Sequence, residues 1–401
     1  MSPLVRALKL GGIGAVLGAA ILAIVLLARL YGGTEVSTRD RRSPAAEGSA
    51  AFVVEMSPMG AVEFPAVPRR FVTLDAHYND LAVAIGRSEG LVATGSAANF
   101  HDEFYGQLEG VESGVDRDAL TFLYGESGGM FDKETLYGLD ADVHHIDPLR
   151  LSSGKSWTPG DVAEISRNVG PFFANRYSRT NDYPGDEPYE FYPLWELLER
   201  VAAVHGEAGR VRRLAAISNA MVERIQAQLP PESERPTVGL VMVSGNGFLP
   251  FSLSRPGFGT AQYRAVGARD AFAPIRDQTY ADAGRGTRLD IEAMLTLDPE
   301  VLIVPWAIYS SETYDQLLAL RDDPLGARLT ALGTDRAYPG GSPLQGPIFH
   351  LFQIEMAAKQ IYPDRFGPFR ADGDYPESEQ LFSRAEVSRV LRGESAAESQ
   401  R

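Results

Sequence analysis

Trp306 and Tyr309 stand three residues apart, just past Pro305 and the apolar run Val301–Val304. Aromatic side chains released where a buried strand leaves its sheet are placed to stack on an organic ligand, although a Trp that only packs fits the same position. Comparable groups follow other short apolar runs. Asp75, His77, Tyr78 and Asn79 come after Phe71–Leu74, and Ser96, Asn99, Phe100 and His101 after Leu91–Thr94. Tyr124 opens the glycine-rich stretch Gly125–Gly129, Asn175, Arg176, Tyr177 and Arg179 follow Pro171, and Ser244–Gly247 follow Val238–Val243. From these loops we take Tyr78, Asn79, Asn99, Tyr124, Arg176, Asn246, Trp306 and Tyr309 as the candidate ligand-binding set. Aromatic faces suit a large organic ligand, and guanidinium groups suit its carboxylates or net negative charge. An ordinary loop or packing role is open to each of them singly.

Enzyme signatures are sparse. Gly125-Glu126-Ser127-Gly128-Gly129 matches G-x-S-x-G, and His350 follows late in the chain, so a serine hydrolase using Ser127 and His350 is the enzymatic alternative. Against it, the next helix starts near Asp132 rather than directly after the serine, and no Asp is clearly placed as third member of a triad. Gly154-Lys155-Ser156 lacks the earlier glycine of a phosphate loop, with Leu149 in its place. His144 and His145 are adjacent on an expected strand and point to opposite faces, which suits structural histidines. No H-E-x-x-H or close His/carboxylate cluster occurs and cysteine is absent, so no catalytic zinc, thiolate chemistry or cofactor is expected. Tyr183, Tyr189 and Tyr192 offer phenolates to a metal, but Pro184 and Pro188 between them favour a surface loop.

The elements that would position these loops follow from periodicity. Phe71–Leu74, Leu91–Thr94 and Asp142–Ile146 predict short strands separated by helical segments such as Asp80–Ile85, the pattern of an α/β layer with a parallel sheet. Leu194–Val204 predicts an amphipathic helix ended by Gly206. Glu207–Leu229 predicts a second, with Val211, Leu214, Ala215, Ile217, Ala220, Met221, Val222, Ile225 and Leu229 at helical spacing and Pro230-Pro231 as its stop. At about 1.5 Å per residue it is as long as a domain, more than a crossover helix needs. Val238–Val243 then starts a second α/β unit. Asp132–Val143 can be laid on Asp290–Val301 without gaps: Asp, Glu, Leu, Asp and Val coincide, and Leu136/Met294 and Asp142/Glu300 nearly so. Each copy is a helix with an acidic first turn leading into a strand, which argues for two similar lobes.

With 401 residues the chain is long for one core. A formal net charge of −15 repels phosphate backbones, so no nucleic-acid partner is expected. Only Lys9, Lys133, Lys155 and Lys359 are lysines among 38 basic residues. Acid excess with so little lysine resembles proteins of salt-loving organisms such as halophilic archaea, and high genomic GC content is the other explanation. Leu10–Ala28 is uncharged and just long enough to cross a hydrocarbon core, and Leu27-Ala28-Arg29-Leu30 is a poor cleavage site. It is read as an uncleaved anchor, with a cleaved export signal as the alternative, and flanking charges leave its topology near a tie. The expected organisation is residues 1–30 as membrane anchor or signal segment, 31–51 as flexible polar linker, 52–205 as the N-terminal α/β lobe, 206–230 as interlobe helix, 231–370 as the C-terminal α/β lobe, and 371–401 as a polar tail with a short helix. The fold class is thus α/β: two Rossmann-like lobes on one long helix, with an N-terminal transmembrane segment.

Val67-Pro68-Arg69-Arg70-Phe71-Val72, both copies of the repeat, Val266-Gly267-Ala268-Arg269-Asp270-Ala271-Phe272, and Gly346-Pro347-Ile348 through Ile361-Tyr362-Pro363 occur in that order. With the two lobes and single long helix, they resemble the substrate-binding proteins of ABC importers, in the helical-backbone group that binds ferric siderophores, haem or cobalamin. The resemblance spans about residues 65 to 367. It implies a monomeric, non-enzymatic, extracytoplasmic binding domain, held to the membrane by its N-terminal segment or secreted if that is cleaved. It implies a ferric siderophore or similar ligand in the interlobe cleft, with haem or cobalamin as alternatives, small closure, and delivery to ABC permease subunits. Docking in this group uses one acidic residue on each lobe. Glu134 falls at that position on the N-terminal lobe. On the C-terminal lobe the glycine turn carries Arg269 with Asp270 beside it, a departure from the pattern.

Overall fold

Short strands whose side chains alternate between two apolar faces build a main sheet in each lobe, beside a separate two-stranded hairpin. A computed structural model describes residues 51–124, 130–152, 156–245, 247–280 and 286–394. A hairpin of β1 (Phe52–Met56) and β2 (Gly60–Phe64), not foreseen from the sequence, opens the N-terminal lobe. Its main sheet contains β3 (Phe71–Thr73), β4 (Leu91–Thr94), β5 (Thr121–Phe122) and β6 (Val143–His145), all parallel in the order β5-β4-β3-β6. Phe71 faces one apolar cluster and Val72 the other, as the period of two requires.

The C-terminal lobe holds β7 (Thr237–Ser244), β8 (Gly247–Phe251), β9 (Arg269–Asp270), β10 (Val301–Val304) and β11 (Ala337–Pro339). Their order is β11-β10-β7-β8, with β9 paired to the start of β7. The sheet is mixed where a parallel one is expected: β8 runs antiparallel to β7 because positions 245 and 246 alone join them, too few for a crossover. Gly245 accordingly has φ +60°. Val301 and Ile303 face the inner core, Leu302 and Val304 the outer one, and all four are fully buried.

The repeat is structural. Helices Lys133–Leu139 and Ile291–Leu297 are each capped by an aspartate, Asp132 accepting from Thr135 N at 3.0 Å and Asp290 from Ala293 N at 2.8 Å. Each ends on a left-handed aspartate, Asp140 or Asp298, before its strand.

The interlobe helix, Ala208–Gln226, buries Val211, Leu214, Ile217, Met221 and Ile225 on one face. Beside it lies helix Pro347–Ile361, buried along its whole length. One continuous core joins Phe104, Tyr105 and Leu108 of the N-terminal lobe, the interlobe helix, β7 and β10, helix Pro347–Ile361 and the C-terminal segment. That segment differs from a polar tail: helix Arg384–Leu391 inserts Val387, Val390 and Leu391 into this core, as Phe382 does just before it. Among the described residues no helix is long and apolar enough to cross a membrane. The span Leu10–Ala28 lies outside the described residues.

Candidate functional site

Parallel strands deliver their carboxyl ends to one edge of each sheet, and the two edges meet at a seam between the lobes. On one side β3 leads to Asp75, β5 to Tyr124 and β6 to Asp147, and the chain beyond the Phe172–His144 bridge adds Arg176 and Arg179. On the other, β10 leads to Trp306 and Tyr309. Across the seam the His77 ring lies 5.4 Å from Phe258, and the Tyr309 hydroxyl 2.8 Å from His101 Nδ1. The His101 ring stacks on Phe349 at 4.1 Å.

A polar network floors the N-terminal side. The Arg176 guanidinium pairs with Asp75, and its backbone N–H donates to Asp147 Oδ2 at 2.9 Å. Burial pushes the Asp75 carboxyl up, but Arg176 with His77 and Arg179 outweighs it and holds the group below its usual range. Asp147 also accepts from the Tyr189 hydroxyl at 2.5 Å and from Leu149 N at 2.9 Å; burial dominates there and raises its pKa. The Tyr124 hydroxyl bonds to the Arg150 side chain, and burial pushes its phenol up. His77 is fully buried, and neither ring nitrogen has a hydrogen-bond partner among the described residues. Burial lowers its pKa to about 4, so at neutral pH it holds one donor and one acceptor unfilled.

Of the expected set, Tyr124, Arg176, Trp306 and Tyr309 reach the strand-end edges. Trp306 has a left-handed backbone, φ +61°, fixed by its N–H to Gly341 O at 3.0 Å and by its ring against Phe251. A bulky residue in that region is held there against its own sterics, as happens at ligand clamps. Tyr309 is 38% exposed. Tyr78 and Asn79 turn inward because helix Ala76–Ala84 starts directly after Asp75. The Tyr78 hydroxyl bonds to Asn175 N at 2.9 Å, and the Asn79 amide to Thr94 at 2.9 Å and to Thr73. Asn99 lies in the one-turn helix Ala97–Asn99. Asn246 lies outside the described residues, as does Ser127.

His350 is buried, donates from Nδ1 to Gln345 Oε1 at 2.7 Å, and has its pKa lowered to about 3 by burial and then Arg264. Its partner is an amide, where a triad histidine needs a carboxylate. His144 and His145 donate to Gly170 O and Phe173 O. His145 Nε2 meets His205 Nε2 at 2.8 Å, so this neutral pair is structural. Among the described residues no group of three His, Cys, Asp or Glu could hold a metal ion.

The acidic positions differ in character. Glu134 and Glu292 occupy the same place in the first turn of the two repeat helices, and both are exposed. The Asp270 carboxylate is engaged internally: it accepts from the Ser252 hydroxyl at 2.8 Å, the Ser254 hydroxyl at 2.5 Å, Ser254 N at 3.0 Å and Phe272 N at 2.9 Å. Sequence reasoning passed over Glu292 and His77, although the repeat aligns Glu292 with Glu134 and His77 stands in the first candidate loop.

No family model and no curated protein matches this chain. Solved structures do. Helicobacter pylori CeuE, in a Ni–His complex, is 13% identical with a TM-score of 0.58, over 88% of this chain and 98% of that one. The petrobactin-binding protein YclQ from Bacillus subtilis is 12% identical with a TM-score of 0.56, over 78% and 99%. PiuA, an iron uptake ABC transporter substrate-binding protein from Streptococcus pneumoniae, is 14% identical with a TM-score of 0.53, over 77% and 97%. The chain therefore has the two-lobed α/β fold of periplasmic solute-binding proteins. The neighbours named for binding are solute-binding proteins, which are not enzymes.

Proposed function

We propose that this chain is the extracytoplasmic solute-binding protein of an ABC importer, and that it captures a large anionic iron chelate of the ferric siderophore class in the interlobe cleft. The observation that carries the reading is the meeting of the two strand-end edges. Arg176, Arg179, Tyr124 and the unpartnered His77 stand on one side, and Trp306 with the exposed Tyr309 on the other. Guanidinium groups match a chelate's negative charge, and aromatic faces match its organic shell. Opening the seam exposes these groups to ligand. The segment Leu10–Ala28 tethers the domain to the membrane in this reading, and the acid excess of the chain suits a saline medium.

Delivery follows the repeat. Glu134 and Glu292, one per lobe, both exposed and each in the first turn of its repeat helix, would serve as a two-point contact for permease arginines, whereas Asp270 serves its own turn. Glu134→Arg or Glu292→Arg should abolish uptake or permease complex formation and leave ligand affinity unchanged; lost ligand affinity would place either residue in the cleft.

Trp157→Phe and Trp195→Phe leave Trp306 as the sole indole of the three. Titrating that variant with ferric catecholate and ferric hydroxamate chelates should quench its fluorescence. Trp306→Ala should weaken affinity by roughly 1–3 kcal/mol, usual for a large aromatic contact, without unfolding the lobe. Tight binding with no spectral change and no effect of Trp306→Ala would remove this loop from the site.

A further inference from the structure

We infer that residues 371–394 form a brace across the back of the molecule that limits movement of one lobe against the other. The segment lies beyond helix Pro347–Ile361 and contacts the N-terminal lobe, the interlobe helix and helix Pro347–Ile361. On the N-terminal lobe, Gln107 Nε2 donates to Asp372 O at 3.0 Å, and Arg392 Nη1 donates to Glu109 O at 2.6 Å. On the interlobe helix, Arg210 Nη1 donates to Leu391 O at 2.7 Å, Arg213 Nη1 to Glu394 O at 2.6 Å, and Arg224 Nη2 to Leu381 O at 2.8 Å. Three arginines on one helix, Arg210 and Arg213 within a turn of each other and Arg224 three turns on, thus hold three separate points of the segment by its carbonyls.

Its third anchorage is the C-terminal lobe. Glu355, on helix Pro347–Ile361, pairs with Arg384 and accepts from Leu381 N at 2.5 Å. The Arg384 guanidinium lies 3.8 Å from the Phe382 ring centroid and 4.4 Å from that of Phe352. Lys359 Nζ donates to Glu379 O at 2.9 Å. Phe382, Val387, Val390 and Leu391 then enter the core that also holds Phe104 and Leu108 of the other lobe.

Burial of Phe382, Val387, Val390 and Leu391, with hydrogen bonds to the N-terminal lobe near both ends of the segment, makes a strut, not a loose tail. A segment fixed to both lobes restricts their relative rotation, and a restricted cleft loses less freedom when a ligand closes it. The inference rests on these contacts and does not depend on the ligand or on the importer reading.

The absence of cysteine allows a direct test, because two introduced thiols are the only ones. Arg167→Cys, exposed on helix Pro159–Asn168, and Gln316→Cys, exposed on helix Glu312–Ala319, take spin labels on opposite lobes of the full chain. Pulsed electron–electron distance measurement should give a narrow distribution. Gln107→Ala with Arg392→Ala, at a half-buried and an exposed position outside the core, should broaden it while the thermal unfolding midpoint stays close to wild type. Arg392→Lys, which keeps a donor in reach of Glu109 O, should restore most of the narrow distribution. An unchanged distribution in the double variant would overturn the brace, and so would broadening that Arg392→Lys shares in full.

Discussion

Arg176 is the residue on which the candidate site turns, because it ties the end of β3 to the chain that follows β6. Its partner Asp75 is 5% exposed and keeps its charge only through the guanidinium beside it. Arg176→Met should therefore destabilise the protein by about 3–5 kcal/mol, the usual loss when one member of a buried pair is removed. Adding Asp75→Leu should recover much of that loss. Urea unfolding of the two variants checks the order; equal stability of Arg176→Met and wild type would mean the pair carries no strain-free burial of charge. Trp306 works differently. Its left-handed backbone is pinned to the neighbouring loop, its N–H bonding to Gly341 O at 3.0 Å while Gly340 N returns to Val304 O at 2.7 Å, so the loop fixes where the side chain starts. Sequence alone singled out Arg176 and Trp306 as candidates, since each follows a punctuated apolar run, and both lie at the strand-end edges. It could not show that Tyr78 and Asn79, in an equally polar loop, are turned inward by a helix that begins two residues earlier.

Among elements, the junction of helices Ala76–Ala84 and Pro347–Ile361 couples the lobes. Asp80 accepts from Ile348 N at 2.8 Å and Phe349 N at 3.0 Å, capping the second helix from the first, while Tyr105 donates to its other oxygen at 2.8 Å. Gly346 permits the approach: a Cβ there would lie 2.6 Å from Asp80 Cβ. Asp80→Ala leaves two buried N–H groups and a phenol unpaired and should cost about 1–3 kcal/mol per orphaned group at most. Asp80→Asn, which keeps an acceptor, should cost less; the reverse ranking in chemical denaturation would show that the cap is not what joins these helices. This joint spans 268 residues of sequence, so no local pattern announces it. Helix Leu194–Val204 and strand Val301–Val304 were legible to the residue because their periodicity is local. The mixed sheet, the opening hairpin and the buried C-terminal helix depended on pairing and packing with distant partners, which periodicity does not encode.

At the scale of the whole molecule, all six histidines are buried, and each has its pKa lowered chiefly by burial. His77, His144 and His145 fall to about 4, His101 and His350 to about 3. Between the ordinary value near 6.5 and these folded values the unfolded chain binds more protons, so stability is full above pH 6.5 and declines as pH falls toward 4. Asp80, raised to about 6 by burial, and Asp147, also raised by burial, oppose this trend, but as two groups against six. Urea unfolding at pH 7.5 and pH 5 should show clear loss at the lower pH; equal stability would contradict neutral burial of the histidines. The two-lobed plan itself was legible, because the repeat preserves the same capped helix and strand in each half. What the repeat positions is a seam lined by guanidinium and aromatic groups, and the central claim is that this seam takes an iron chelate. Isothermal titration of the protein with ferric catecholate, ferric hydroxamate, haem and cobalamin, each beside its iron- or cobalt-free counterpart where one exists, tests that most directly. The account predicts one saturable site for a ferric siderophore, weakened by Trp306→Ala, with the metal-free chelator bound less tightly. Binding of none of the four, or siderophore binding that Trp306→Ala and Tyr124→Phe both leave untouched, would contradict it.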